Sequence, residues 1–329
     1  MISHSVADCV SDFFLGGRYN IQMQKIGTTL IEDTYAEAFD VWVGSVVITA
    51  ENRRWLNVAV AECTGYGTSV IGCDVEAGLG NYLDARQTMD GRGGARMMFF
   101  GFTKKKVVAA IQNRVGQAVM TCVGTRVFDG FEGDEKLGWA SYGLGDYLKY
   151  FGDGFQRQER RFGVEGISIP VTAGVFFCES KGAVKRGIAG GNLLVFDKDR
   201  AACLAGVERG VLSVAGMTDV ILPFPGGVVR CASKVGSKRC SRLTASTNDD
   251  YCPGLVGQGG GRFVGDGVGC VYEIVINGLS IESVRTGMSR MLQQIPGHGI
   301  LRIGAANFGG QLGKHQIKLW GIAKRSKER

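Results

Sequence analysis

One carboxylate in this chain sits where a carboxylate is costly. The segment Cys270-Val271-Tyr272-Glu273-Ile274-Val275-Ile276-Asn277 reads as a β-strand, with Glu273 between apolar neighbours. With a period of two, Val271, Glu273, Val275 and Asn277 share one face, and Tyr272, Ile274 and Ile276 share the other. A Glu half-buried in such a strand must find a partner or hold its proton more tightly. A carboxyl titrating near neutrality is what a general acid or base requires. The same pattern also fits a Glu on a solvated sheet face, or one paired with Lys or Arg.

Around this strand lie four polar, Gly-rich loops: Pro223 to Gly227, Ala232 to Lys238, Ala245 to Asp249, and Ala306 to Gly313. Gly lets a backbone turn tightly or approach a ligand closely. Ser, Thr and Asn beside such turns offer hydrogen bonds of adjustable geometry. The residues expected to meet a substrate are Phe224, Pro225, Gly226, Gly227, Ser233, Lys234, Ser246, Thr247, Asn248, Asn307 and Phe308. Any one of these loops alone reads equally as a plain turn.

Other chemistries find no motif. There is no GxxxxGK[ST] phosphate loop, no GxGxxG opening a helix after a strand, and no GxSxG elbow. The three histidines, His4, His298 and His315, do not form an HExxH pair, so no metal is expected. The ten cysteines include no CxxC pair and several lie in apolar runs, which points to reduced thiols and a cytoplasmic protein. No apolar run reaches the ~18 residues of a membrane span.

The elements that must position these residues read as α+β. Helices are expected over Thr34 to Phe39, Arg53 to Cys63, Lys104 to Val115, Asp199 to Ser213 and Ser280 to Gln294. Strands are expected over Val43 to Ala50, Ser69 to Cys73, Met97 to Phe102, Val119 to Val123, Gly174 to Glu179, Leu193 to Phe196, Leu301 to Ala306 and Ile317 to Trp320. Each half thus holds several strands and two good helices. The division expected is an N-terminal extension over 1–24, one lobe over 25–165, a second over 166–323 and a basic tail over 324–329. Met23 stands where a start would fit.

Composition is that of a globular protein, 45% hydrophobic and 21% charged. Glycine is the outlier, with 52 among 329 residues, about twice the usual share. The net charge of +7 is partly a tail effect, because Lys324 to Arg329 carry four basic groups against one Glu. A nucleic-acid binder shows a sharper basic stripe interleaved with aromatics. Neither nucleic acid nor membrane is therefore expected as a partner. The modest positive field suits small polyanions.

Long ungapped stretches carry a family resemblance. They include Ile31-Glu-Asp-Thr-Tyr-Ala-Glu-Ala-Phe39, Thr64-Gly-Tyr-Gly-Thr-Ser-Val-Ile71, Arg114 to Thr121, Phe151-Gly-Asp-Gly-Phe-Gln156 and Gly187 to Asn192. The densest are Pro223 to Lys238, Ala245 to Pro253, Cys270 to Gly278 and Asn307 to Gly313. With these the chain resembles the formylmethanofuran:tetrahydromethanopterin formyltransferases. The resemblance implies two ferredoxin-like lobes, each a mainly antiparallel sheet with helices on one face. It implies formyl transfer between the amine of methanofuran and N5 of tetrahydromethanopterin, in methanogenesis or formaldehyde oxidation. It further implies that the two C1 carriers are cosubstrates, with no metal and no covalently bound cofactor, and that Glu273 is the catalytic group. The assembly implied is a homotetramer, or a subunit of a formyltransferase/hydrolase complex. The other reading is a non-catalytic scaffold or pterin-binding subunit of a C1 enzyme complex.

Overall fold

The computed structural model describes residues 22–131, 139–296 and 299–324. The N-terminal extension up to residue 21, His4, His298 and the tail from 325 onward lie outside the described residues.

Two long strands organise the molecule. Tyr35–Thr49 and Lys181–Asp197 pair antiparallel from Phe39↔Ala189 to Gly44↔Val184. Each then diverges into a separate sheet region with its own helices. Val46 and Ile48 of the first strand and Val184 of the second belong to one core. Ala36 and Ala38 of the first, and Ile188, Leu193 and Val195 of the second, belong to another.

The first core is closed by helices Arg53–Thr64 and Lys104–Arg114. Their N-termini are capped by the side chains of Asn52 and Thr103, which accept from Trp55 N–H and Lys106 N–H. The second core is closed by helices Arg200–Ser213 and Ile281–Gln294, capped in the same way by Asp199 and Ser280. Val207, Val284, Met288 and Met291 from these helices pack on Ile274 and Ile276. Almost every strand pairing is antiparallel; the exceptions join Gly174–Glu179 to Arg126–Asp129 and Arg302–Gly304 to Thr29–Glu32. The α+β expectation of two helix-backed, mainly antiparallel lobes thus holds.

The cores do not part at one point in sequence. Residue 165/166 falls inside strand Val164–Val171, whose Ile167 and Ile169 belong to the first core. Ile31, near the start of the described chain, belongs to the second.

Four local expectations are corrected. Thr34 to Phe39 is not a helix but opens the Tyr35–Thr49 strand. Ala and Glu favour helix locally, yet Ala36 and Ala38 are claimed by pairing with Ile317 and His315. Val119 to Val123 is not a strand: Val115–Val119 is a π-turn, closed by Met120 N–H donating to Val115 C=O at 2.8 Å, and the strand follows at Arg126–Asp129. Ser69 to Cys73 forms turns, with Gly72 and Cys73 N–H both donating to Ser69 C=O. The strand expected at Ile317 to Trp320 runs from His315 to Lys318 and passes into the short helix Leu319–Lys324.

Candidate active site

Strand Cys270–Gly278 lies beside the second half of Lys181–Asp197, in a register that sets Glu273 opposite Leu194. On its other side Val229 exchanges both backbone hydrogen bonds with Glu273, at 2.8 and 3.1 Å. The backbone of Glu273 is therefore fixed from both sides. Ile274 and Ile276 face the helices and are fully buried. Glu273 points the opposite way, as the period of two requires.

The Glu273 side chain lines a cavity of about 170 Å³ together with Arg230, Cys231, Thr247, Asn248, Tyr251 and Cys252. Among the described residues, no hydrogen bond or cation offsets the burial of its carboxyl. Burial alone pushes it up to about 7. Among the described residues no Lys or Arg pairs with it, so the ion-paired alternative is not what the structure contains. A carboxyl raised in this way has the chemistry of a general acid or base near neutrality.

Three of the four polar loops gather at this cavity and its edge. Phe224 opens a tight turn over Pro225–Gly227, in which Gly226 and Gly227 have φ of 62° and 78°. Only Gly adopts both without strain. This turn leads directly into Val229 and so anchors the edge beside Glu273. Ser233–Val235 and Ala245–Thr247 form a small hairpin that carries Ser233, Lys234, Ser246 and Thr247. Asn248 N–H donates to Ala232 C=O at 2.9 Å, closing the hairpin over the cavity. Lys234 is engaged by Asp249, which also pairs with Lys238 at 2.7 Å, so its ammonium acts first as a brace of the roof.

The predicted residues divide accordingly. Thr247 and Asn248 share the cavity with Glu273, while Ser233, Lys234 and Ser246 build the hairpin above it. The Phe224–Gly227 turn shapes the adjoining edge. Asn307 and Phe308 lie elsewhere, in a loop gathered around the Glu37 carboxylate. Glu37 accepts from the N–H groups of Phe308, Gly310, Leu312 and Gly313, the last three at 3.0, 2.9 and 2.7 Å. Burial would raise this carboxyl, but the four N–H groups hold it below its ordinary value. The Phe308 ring meets Phe39 edge-on at 6.4 Å. A second, wider hollow of about 500 Å³, lined by Phe39, Asp40, Phe102, Arg186, Leu312 and Lys314, opens beside this loop.

Cavity residues that the sequence did not single out are Arg230, Cys231, Tyr251 and Cys252. Tyr251 follows Asn248 by three positions, inside a stretch that carries the family resemblance. All nine described cysteines are free thiols, and the described residues contain no His, Cys, Asp and Glu cluster suited to a metal. No described helix is long and apolar enough to cross a membrane.

The N-terminal core reaches the site through a buried polar chain. Gly190 N–H donates to Asn277 Oδ1 at 3.0 Å, so Asn277 Nδ2 must face Glu76 and donates to it at 2.6 Å. The other oxygen of Glu76 accepts from Val70 N–H at 3.2 Å. Beside this chain Gly78 leaves room for Ile221, whose side chain would stand 2.8 Å from a Cβ.

Fold and site together define a two-lobed α+β protein with an unpartnered carboxyl on a sheet face, roofed by polar turns. Residues 24–171 match the family model of formylmethanofuran-tetrahydromethanopterin formyltransferase, and residues 174–322 match that of its proximal lobe. A formylmethanofuran–tetrahydromethanopterin formyltransferase of Methanocaldococcus jannaschii is 39% identical over 300 residues, 90% of this chain and 98% of that protein. A subunit of the formyltransferase/hydrolase complex of Methylorubrum extorquens is 40% identical over 299 residues, 88% of this chain and 94% of that one. The crystal structure of the formyltransferase/hydrolase complex of M. extorquens with methylofuran superposes with a TM-score of 0.85 at 38% identity, covering 92% of this chain and 99% of the matched one. The chain belongs to the formylmethanofuran–tetrahydromethanopterin formyltransferase family.

Proposed function

We propose that this protein transfers a formyl group between the amine of methanofuran and N5 of tetrahydromethanopterin, or close variants of these carriers, with Glu273 moving the proton. The observation that carries this reading is the unpartnered Glu273 carboxyl on a cavity of about 170 Å³. That volume equals roughly five or six waters of liquid. It admits a formamide group but not a whole carrier, so most of each carrier lies outside and the reacting group is presented to Glu273.

The incoming nitrogen attacks the formyl carbon, and the carbonyl oxygen gains the electron pair. A C–N bond forms and the attacking nitrogen becomes cationic. Ionised Glu273 takes the proton from that nitrogen and returns it to the departing one. The second C–N bond breaks as the carbonyl re-forms. Polar groups of the roof, Asn248 and Thr247 among them, face the developing oxyanion. Phe224, the Pro225–Gly227 turn, Ser233, Lys234 and Ser246 shape the approach of one carrier. Asn307 and Phe308, at the second hollow, guide the rest of a carrier too large for the cavity.

The same observation favours an enzyme over a scaffold. A carboxyl held near pH 7 without a partner costs stability and serves no packing purpose. The relatives also suggest an assembly, either of like subunits or with the partners of a formyltransferase/hydrolase complex. In Glu273→Gln, kcat falls by about 10²–10⁴ with KM changed only a few-fold, measured with formylmethanofuran and tetrahydromethanopterin. Unchanged turnover would remove Glu273 from the proton path.

A further inference from the structure

Glu273 has a protic neighbour whose fixing is unusual for a loop residue. Tyr251 ends the single turn Asp249–Tyr251, and its N–H donates to Asn248 C=O at 3.0 Å. Its ring lies tilted between Phe196 and Phe263, with centroids 6.1 and 5.3 Å away. Phe196 is in turn covered by the Arg302 guanidinium at 3.9 Å, which also donates to the carbonyls of Phe263 and Val264 at 2.6 and 2.8 Å. The turn itself is pinned by Asp250, whose two oxygens accept from Arg262 at 2.7 Å each. Phe196 follows Leu194 by two on its strand, so it stands on the same sheet face as Glu273.

This scaffold holds the ring and leaves its polar end unused. Among the described residues, nothing accepts from or donates to the Tyr251 hydroxyl, and Tyr251 is one of the residues that line the cavity with Glu273. Other polar groups there are partly occupied: Thr247 Oγ1 and Cys252 Sγ lie 3.5 Å apart, and Cys252 also donates to Asn248 C=O at 3.4 Å. Tyr251 is half-buried, and its hydroxyl, with no protein partner, is free to bond whatever fills the cavity. The cavity therefore presents two unsatisfied protic groups, an acid–base carboxyl and a phenol.

From this geometry we infer that Tyr251 is a second catalytic residue, its phenol donating a hydrogen bond to the formyl oxygen as that oxygen becomes an oxyanion. The inference rests on the formyl-transfer reading above and divides the work within it. Glu273 carries the proton between the two nitrogens, and Tyr251 stabilises the oxygen without losing its own proton. Its protonation state suits that task. Burial first, then the carboxylates of Glu32 and Glu273, push the phenol above its ordinary range, with Arg302 opposing. It stays a neutral donor at every pH where Glu273 titrates.

The test is Tyr251→Phe, which keeps the ring between Phe196 and Phe263 and removes only the hydroxyl. With formylmethanofuran and tetrahydromethanopterin, kcat falls about 10²–10³-fold, as for loss of one oxyanion donor. KM moves by less than about threefold, and the limb of the pH–rate profile near 7 stays in place. Wild-type kcat in Tyr251→Phe, alongside an impaired Glu273→Gln, overturns the assignment of Tyr251 and leaves the formyl-transfer reading standing. Wild-type kcat in both variants overturns the reading on which it rests. A Tyr251→Phe enzyme whose only defect is a raised KM also overturns it, because binding and not oxyanion stabilisation would then be lost.

Discussion

Glu273 sets a conflict between stability and chemistry that a titration can expose. Its carboxyl is raised from an ordinary 4.5 to about 7 by burial. The folded state thus holds the proton more tightly than the unfolded chain. Stability from this group is complete below about pH 4.5 and is lost as pH rises through 7. The span corresponds to a loss on the order of 2–3 kcal/mol. Glu273→Gln abolishes that loss. The variant should gain on wild type by this amount between pH 4.5 and pH 8 in denaturant unfolding, while its turnover collapses. A difference independent of pH would mean that the carboxyl is ionised in the folded state throughout. Asn277, on the same face of the strand, makes the contrast: it is fully buried, yet both ends of its amide are satisfied by Gly190 and Glu76.

At the scale of elements, one carboxylate shapes a loop that no regular structure supports. The Asn307–Gly313 segment takes its form from Glu37, whose two oxygens collect four backbone N–H groups. Glu37→Gln replaces one acceptor with an NH₂ that faces donors. A cost of about 2 kcal/mol in thermal unfolding is expected, with faster proteolysis at Gly309–Gly310. Equal stability and equal proteolysis would show that water serves these N–H groups as well. The sequence could be read where signals are local. Four helices follow their caps at Asn52, Thr103, Asp199 and Ser280, and Glu273 breaks an apolar strand visibly. Reading failed where a distant partner decides. Ala36 and Ala38 look helical until His315 to Lys318 pairs with them. Tyr251 looks like any loop aromatic until Phe196, Phe263 and Arg302 assemble around it.

At the scale of the molecule, the two halves of the sequence do not fill two separate cores. The second core needs Ile31, Ala36 and Ala38 from the first forty residues, and Trp320 Nε1 donates to Ile31 C=O at 3.0 Å. Residues 174–322 expressed alone should therefore show no cooperative thermal transition, followed by near-ultraviolet circular dichroism. A sharp transition in that fragment would establish an independent domain. Tyr35–Thr49 and Lys181–Asp197 are each common to both cores and paired to one another at the crossing. Swinging one half against the other would shear this ladder at its centre. The two lobes are thus tied at the crossing, and bending there would break backbone hydrogen bonds that both cores share. If the surface turns govern admission and release of the carriers, the pace of turnover answers to changes in those turns and not to changes at the crossing, which steady-state kinetics of variants at Gly226 and at Gly187 would check.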